Sequence, residues 1–94
     1  MNVTALYQEC IRARTSLDEE VNALTNPTTQ KTAALAQRLM MLEKDFTLKV
    51  DALKAEVATK RLPSQPVWER RMEGLVQDRE NICGILATHG VLNR

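Results

Sequence analysis

The sequence predicts an all-α fold: an antiparallel up-down-up bundle of three helices, forming a single domain over residues 1–94. Three observations predict it. Apolar residues recur at threes and fours in three successive segments, two proline-bearing breaks separate the segments, and turn formers are scarce, with three Gly and three Pro in 94 residues. An all-β chain would need a turn signal every ~8–12 residues. A chain of this length makes about one domain and buries a little under ~70% of its unfolded surface. With one Trp, one Tyr and one Phe, its core has to be aliphatic.

The first helix is expected over about residues 4–25. Leu6, Cys10, Ala13, Leu17, Val21 and Leu24 fall on one stripe of the helical wheel, the pattern of a helix buried on one side. Asn2 or Thr4 is placed to cap it. Asn26-Pro27-Thr28-Thr29 forms the first break, because proline disfavours helix in the residue before it and Thr readily caps the next start. The second helix is expected over about 29–60, ~45 Å at 1.5 Å per residue. Its stripe is Leu35, Leu39, Leu42, Phe46, Val50, Leu53 and Val57. Leu62-Pro63-Ser64-Gln65-Pro66 forms the second break, with Ser64 or Gln65 as cap and Pro66 suited to a first turn. The third helix is expected over about 66–89. It buries Trp68, Met72, Leu75, Ile82 and Leu86, and Gly90 stops it. Short connections make sequential helices antiparallel neighbours, with the longer second helix projecting beyond the others.

Charged residues interrupt each stripe at Glu20, Lys49 and Arg79. Counted from the helix ends, all three lie roughly 17–22 Å along the bundle. The expectation is a polar core layer in which Glu20 pairs with Arg79 or Lys49, a device that fixes register more than it adds stability.

Composition narrows the function classes. Thirteen Lys and Arg against twelve Asp and Glu give a net charge of +1, so no overall pull towards nucleic acid arises. The basic pairs Arg12/Arg14, Lys60/Arg61 and Arg70/Arg71 sit among acids, without interleaved aromatics. No apolar run approaches a membrane span, and MNVTALYQEC lacks the order of a signal peptide. Cys10 and Cys83 belong to no CxxC pair, so no metal site is expected. Both read as reduced core thiols, placed near opposite ends of the bundle and far beyond the ~7 Å reach of a disulfide. His89, beside Gly90, suits a role at the helix end better than that of a general base. Ser16 and Ser64 have no histidine on their own helical face, and no glycine-rich phosphate loop occurs. All-helical chorismate mutases have a similar length and first-helix rhythm, but their chemistry needs several Arg and Lys converging on a dicarboxylate. Here only Lys49 and Arg79 approach the interior. The expectation is a non-enzyme with no catalytic residues, cofactor or metal.

A second apolar line runs along helix two. Met41, Leu48, Ala52 and Ala55 lie roughly 120–180° from the centre of the main stripe, on the side expected to face water. Ile11, and less clearly Tyr7, stray similarly from the first stripe. These residues are the candidate surface for another amphipathic helix, which would be read through spaced anchors.

The opening MNVTALYQECIRARTSLDEEVNAL resembles the first helix of membrin/Bos-type Qb-SNAREs of the Golgi SNAP receptor family. Leu39, Leu42 and Phe46 are compatible with their second helix. The Arg-aliphatic-x-x-Leu-x-x-Asp pattern at Arg71, Met72, Leu75 and Asp78 is similar to their third. The resemblance covers nearly the whole chain and is weakest around residues 25–31. It implies a SNARE N-terminal, Habc-like domain acting in vesicle transport and fusion between endoplasmic reticulum and Golgi, on the cytosolic face of those membranes. Its implied work is regulatory, through a tether, a coat component or a SNARE helix, with no nucleic-acid partner. A SNARE motif and a C-terminal anchor are absent from these 94 residues, so the chain reads as a soluble, monomeric fragment. The alternative is a self-associating helical scaffold, spectrin-like or coiled-coil.

Overall fold

Local hydrogen bonds set several of the helix ends. A computed structural model describes residues 2–28, 30–59 and 62–92, and places three α-helices and no strand among them. Helix α1 spans Val3–Thr25, α2 Ala33–Thr59 and α3 Gln65–Thr88. At the head of α1, Asn2 Oδ1 accepts the Thr4 N–H at 2.8 Å, satisfying one of the amides that a helix start leaves open. At its foot the Asn26 N–H closes the last turn on the Asn22 carbonyl. Asn26 Oδ1 then accepts from both the amide and the hydroxyl of Thr28, a side-chain turn that carries the chain away from the helix.

Helix α2 starts later than about 29. Position 29 lies outside the described residues, and residues 30–32 are not helical. The capping threonine is Thr32, whose Oγ1 accepts the Leu35 N–H at 3.1 Å while its carbonyl accepts from Ala36. The expected end at position 60 also lies outside the described residues. Ser64 and Gln65 do not cap α3 in the expected way. Ser64 adopts a left-handed backbone (φ 60°) without a side-chain cap bond, and Gln65 ties the connection together instead. Its Oε1 accepts the Leu62 N–H at 3.2 Å, and its Nε2 donates to the Val57 carbonyl at 3.0 Å. Gly90 ends α3 as the sequence predicts, with φ 76°. The Val91 N–H reaches the Leu86 carbonyl at 2.8 Å and the Gly90 N–H reaches that of Ala87 at 3.1 Å, the paired bonds of a left-handed C-terminal cap.

The three stripes meet in one apolar core, and the molecule measures 47 × 20 × 19 Å. All six predicted residues of the α1 stripe are buried, and Val3 joins them. Leu39, Phe46, Val50, Leu53 and Val57 line α2, and Met72, Leu75, Ile82 and Leu86 line α3. Leu35, Leu42 and Trp68 pack on the core's margin rather than inside it. Side chains this buried each contribute ~1.5–3 kcal/mol, the main return on ordering the chain.

Contacts between helices fix which residues face one another. Early residues of α1 and α3 meet where the rings of Tyr7 and Trp68 sit edge to face at 5.8 Å. The Arg71 guanidinium lies 5.2 Å from the first ring and 4.8 Å from the second, a cation over two electron-rich faces. Further along, Arg14 Nη1 meets Asp78 Oδ2 at 2.7 Å. The last turns of α1 lie beside early α2, where Arg38 Nε reaches Glu20 Oε1 at 3.0 Å. Late α3 also lies beside early α2, where the Cys83 thiol donates to Glu43 Oε1 at 3.4 Å.

Candidate interaction surface

The expected polar core layer is not how Glu20, Lys49 and Arg79 are arranged. Glu20 pairs with Arg38, Lys49 Nζ with Asp45 Oδ2 at 3.0 Å one turn back on α2, and Arg79 Nη2 with Glu80 Oε1 at 3.5 Å. All three side chains retain solvent contact, and no polar or charged residue is buried among the described residues. Long side chains at a stripe's edge reach water while their stems cover apolar surface, which avoids the desolvation cost of a buried ion.

Both cysteines are buried thiols, as the sequence predicts. Burial is the main reason the Cys10 thiol titrates above its ordinary 9.0; Glu9 adds to the rise and Lys49 opposes it. Beside the Arg14–Asp78 pair, burial lifts the Asp18 carboxyl above 3.8, with Arg14 lowering it and Asp78 raising it. His89 at the foot of α3 accepts a hydrogen bond at Nδ1 from the Lys31 ammonium at 3.1 Å, because an ammonium can only donate. Among the described residues no three His, Cys, Asp or Glu side chains are grouped to hold a metal ion.

The second apolar line of α2 is exposed, as the sequence predicts. Met41 is 72% exposed and Leu48 59%, and Ala52 and Ala55 are exposed with them. Buried α2 residues such as Leu39, Phe46 and Val50 turn towards α1 and α3, so the opposite side of the same helix faces outward. Ala34, Met41, Leu48 and Ala55 are spaced seven apart, and Ala34 is exposed like the rest. Ile11 does not belong to this surface. It is half-buried and packs with Tyr7 against the core, so the expectation of a stray outward residue on α1 is corrected.

Sequence reasoning missed three exposed apolar side chains, Met40 beside the α2 line and Val67 and Ile85 on α3. It also missed a shallow groove of about 360 Å³ between α2 and α3. Val57, Ala58 and Met72 contribute its apolar part, and Lys54, Glu69 and Glu73 are charged residues at its edges. Helix wheels signal which side of a helix is apolar, but not how far two helices stand apart, so only coordinates expose such a groove. No described helix is long and apolar enough to cross a membrane. No known family model, curated protein or solved structure matches the chain.

Proposed function

We propose that this chain is a non-catalytic helical interaction domain of the SNARE N-terminal type, with helices alternating up-down-up. On this reading it regulates a membrin-like SNARE in transport between endoplasmic reticulum and Golgi. The meeting of Tyr7 with Trp68, Glu20 with Arg38 and Glu43 with Cys83 supports the alternating order. The membrin-like residues at the entry to α1 and at Arg71, Met72, Leu75 and Asp78 support the assignment to transport.

One observation carries the functional reading: α2 has an apolar line on each side, and the bundle covers one of them. Met41 and Leu48 stand out from the surface one heptad apart, the spacing by which an amphipathic helix is recognised. Small neighbours at Ala52 and Ala55 allow a partner's backbone to come close. The partner class is a SNARE motif, or a helix of a tether or coat component, bound on the cytosolic face of the membrane.

The test is a fluorescence-anisotropy titration of labelled SNARE-motif helices from endoplasmic reticulum–Golgi transport against the chain and its Leu48→Asp variant. Saturable binding by the first and at least ~10-fold weaker binding by the second is expected, because the substitution sets a charge in an apolar contact. Equal binding by both would end the assignment of the α2 face.

A further inference from the structure

We infer that the outward face of α2 also pairs with the same face of a second copy of this chain, antiparallel and centred on Leu48. This rests on reading that face as a helix-docking surface, and it names an occupant that the chain itself supplies.

Shape favours the antiparallel sense. Ala34, Met41, Leu48 and Ala55 repeat every seven residues, the period that keeps a seam facing its partner along two helices. With a two-fold axis at Leu48, Met41 of each copy lies opposite Ala55 of the other, large against small, on both sides of a central leucine pair. A parallel pair would set methionine against methionine and alanine against alanine, leaving one layer crowded and another hollow.

Charge favours the same arrangement. Lys44 and Asp51 flank the line on one side, ~40–60° from Leu48 on the wheel at 100° per residue. Both are exposed, and neither takes part in an ion pair among the described residues. In an antiparallel pair like flanks face each other. Lys44 lies ~6 Å before Leu48 and Asp51 ~4.5 Å after it, so each Lys44 comes level with the other copy's Asp51 to within ~1.5 Å. Two opposite-charge pairs form. On the other flank Asp45 and Lys49 are already paired within each copy and add no repulsion.

The area sets the strength. A strip ~32 Å long and ~10 Å wide buries only about half of the ~1,200 Å² at which stable complexes begin, so the pair is transient and concentration-dependent. A foreign helix that binds the same strip competes with it.

Sedimentation equilibrium from about 10 µM to about 1 mM, a range suited to a transient pair, tests the inference. The unmodified chain is expected to shift from monomer towards dimer. Leu48→Asp removes the shift with circular dichroism unchanged. Lys44→Asp, which sets like charges face to face, weakens the dimer at least ~5-fold, and Lys44→Asp with Asp51→Lys restores it to within ~2-fold. A chain that stays monomeric throughout overturns the pairing, and so does a double variant as weak as the single one. Either result leaves the capture of a foreign SNARE helix, measured by its own titration, standing or falling separately.

Discussion

Arg14 of α1 and Asp78 of α3 meet at 2.7 Å, each with roughly a third of its side chain still in water (33% and 39%). The pair ties α1 to α3 midway between the Tyr7–Trp68 contact and the feet of the helices. A charge-assisted bond of this length is stronger than a neutral one, but solvent screening limits its worth to ~0.5–1 kcal/mol. A double-mutant cycle with Arg14→Ala and Asp78→Ala is expected to return a coupling in that range, smaller in high salt. A coupling of zero would reduce the pair to a surface coincidence.

Asp18, next to that pair, predicts a pH dependence. Burial is the main cause that holds its carboxyl above 3.8, so the folded chain keeps this proton more tightly than the unfolded one. The contribution is fully present below about 3.8 and is lost as pH rises through the higher folded value. Asp18→Asn should therefore raise Tm slightly at pH 7, and the gain should shrink as pH falls towards 3. Because Asp18 is exposed, the effect is modest. Thermal melts of both proteins across that pH range check the sign.

The buried thiols predict slow chemistry. Cys10 is fully buried and its thiol is pushed above 9.0, and Cys83 is 6% exposed. The thiolate is the reactive form, so labelling by a disulfide reagent at pH 7.5 must wait for the helices to open. Reaction at least ~100-fold slower in buffer than in denaturant is expected for both. Fast labelling of either in buffer would place it at the surface.

The two sides of α2 predict opposite responses to substitution. Phe46 is fully buried, and Phe46→Ala should cost ~3–5 kcal/mol, a large share of the ~5–14 kcal/mol expected for the whole chain. Leu48, two residues on and 59% exposed, should tolerate Asp within ~0.5 kcal/mol. Urea denaturation of the two variants separates them.

Much of this arrangement was legible in the residues, for a physical reason that also marks the limit. Periodicity reports which side of a helix is apolar, so the buried stripe of α1 and the outward line Met41–Leu48–Ala52–Ala55 could be read directly. The start of α2 could not. The sequence places it at the Thr28–Thr29 break, whereas Asn26 engages Thr28 and Thr32, further along, makes the cap bond. The connection before α3 misled similarly, because Gln65 bonds backward to Leu62 and Val57 rather than into its own helix. Axial level placed Glu20, Lys49 and Arg79 together, but level does not specify the flank on which each side chain leaves. Glu20 found Arg38 at hand on α2, and the other two found acids on their own helices. Ile11 misled because a residue at the shoulder of a stripe is covered or bare depending on its neighbour, here a core that reaches it.

The proposed function depends most on the outward face of α2 being the surface that other helices seek. Methyl NMR reads it directly, because Met41, Leu48, Ala52 and Ala55 all carry methyl groups. On titration with a SNARE-motif helix, the largest shifts are expected at these four residues, with Leu17, Leu53 and Leu86 in the core unmoved. Shifts confined to Val67 and Ile85 of α3, or to the groove at Val57 and Met72, would contradict it.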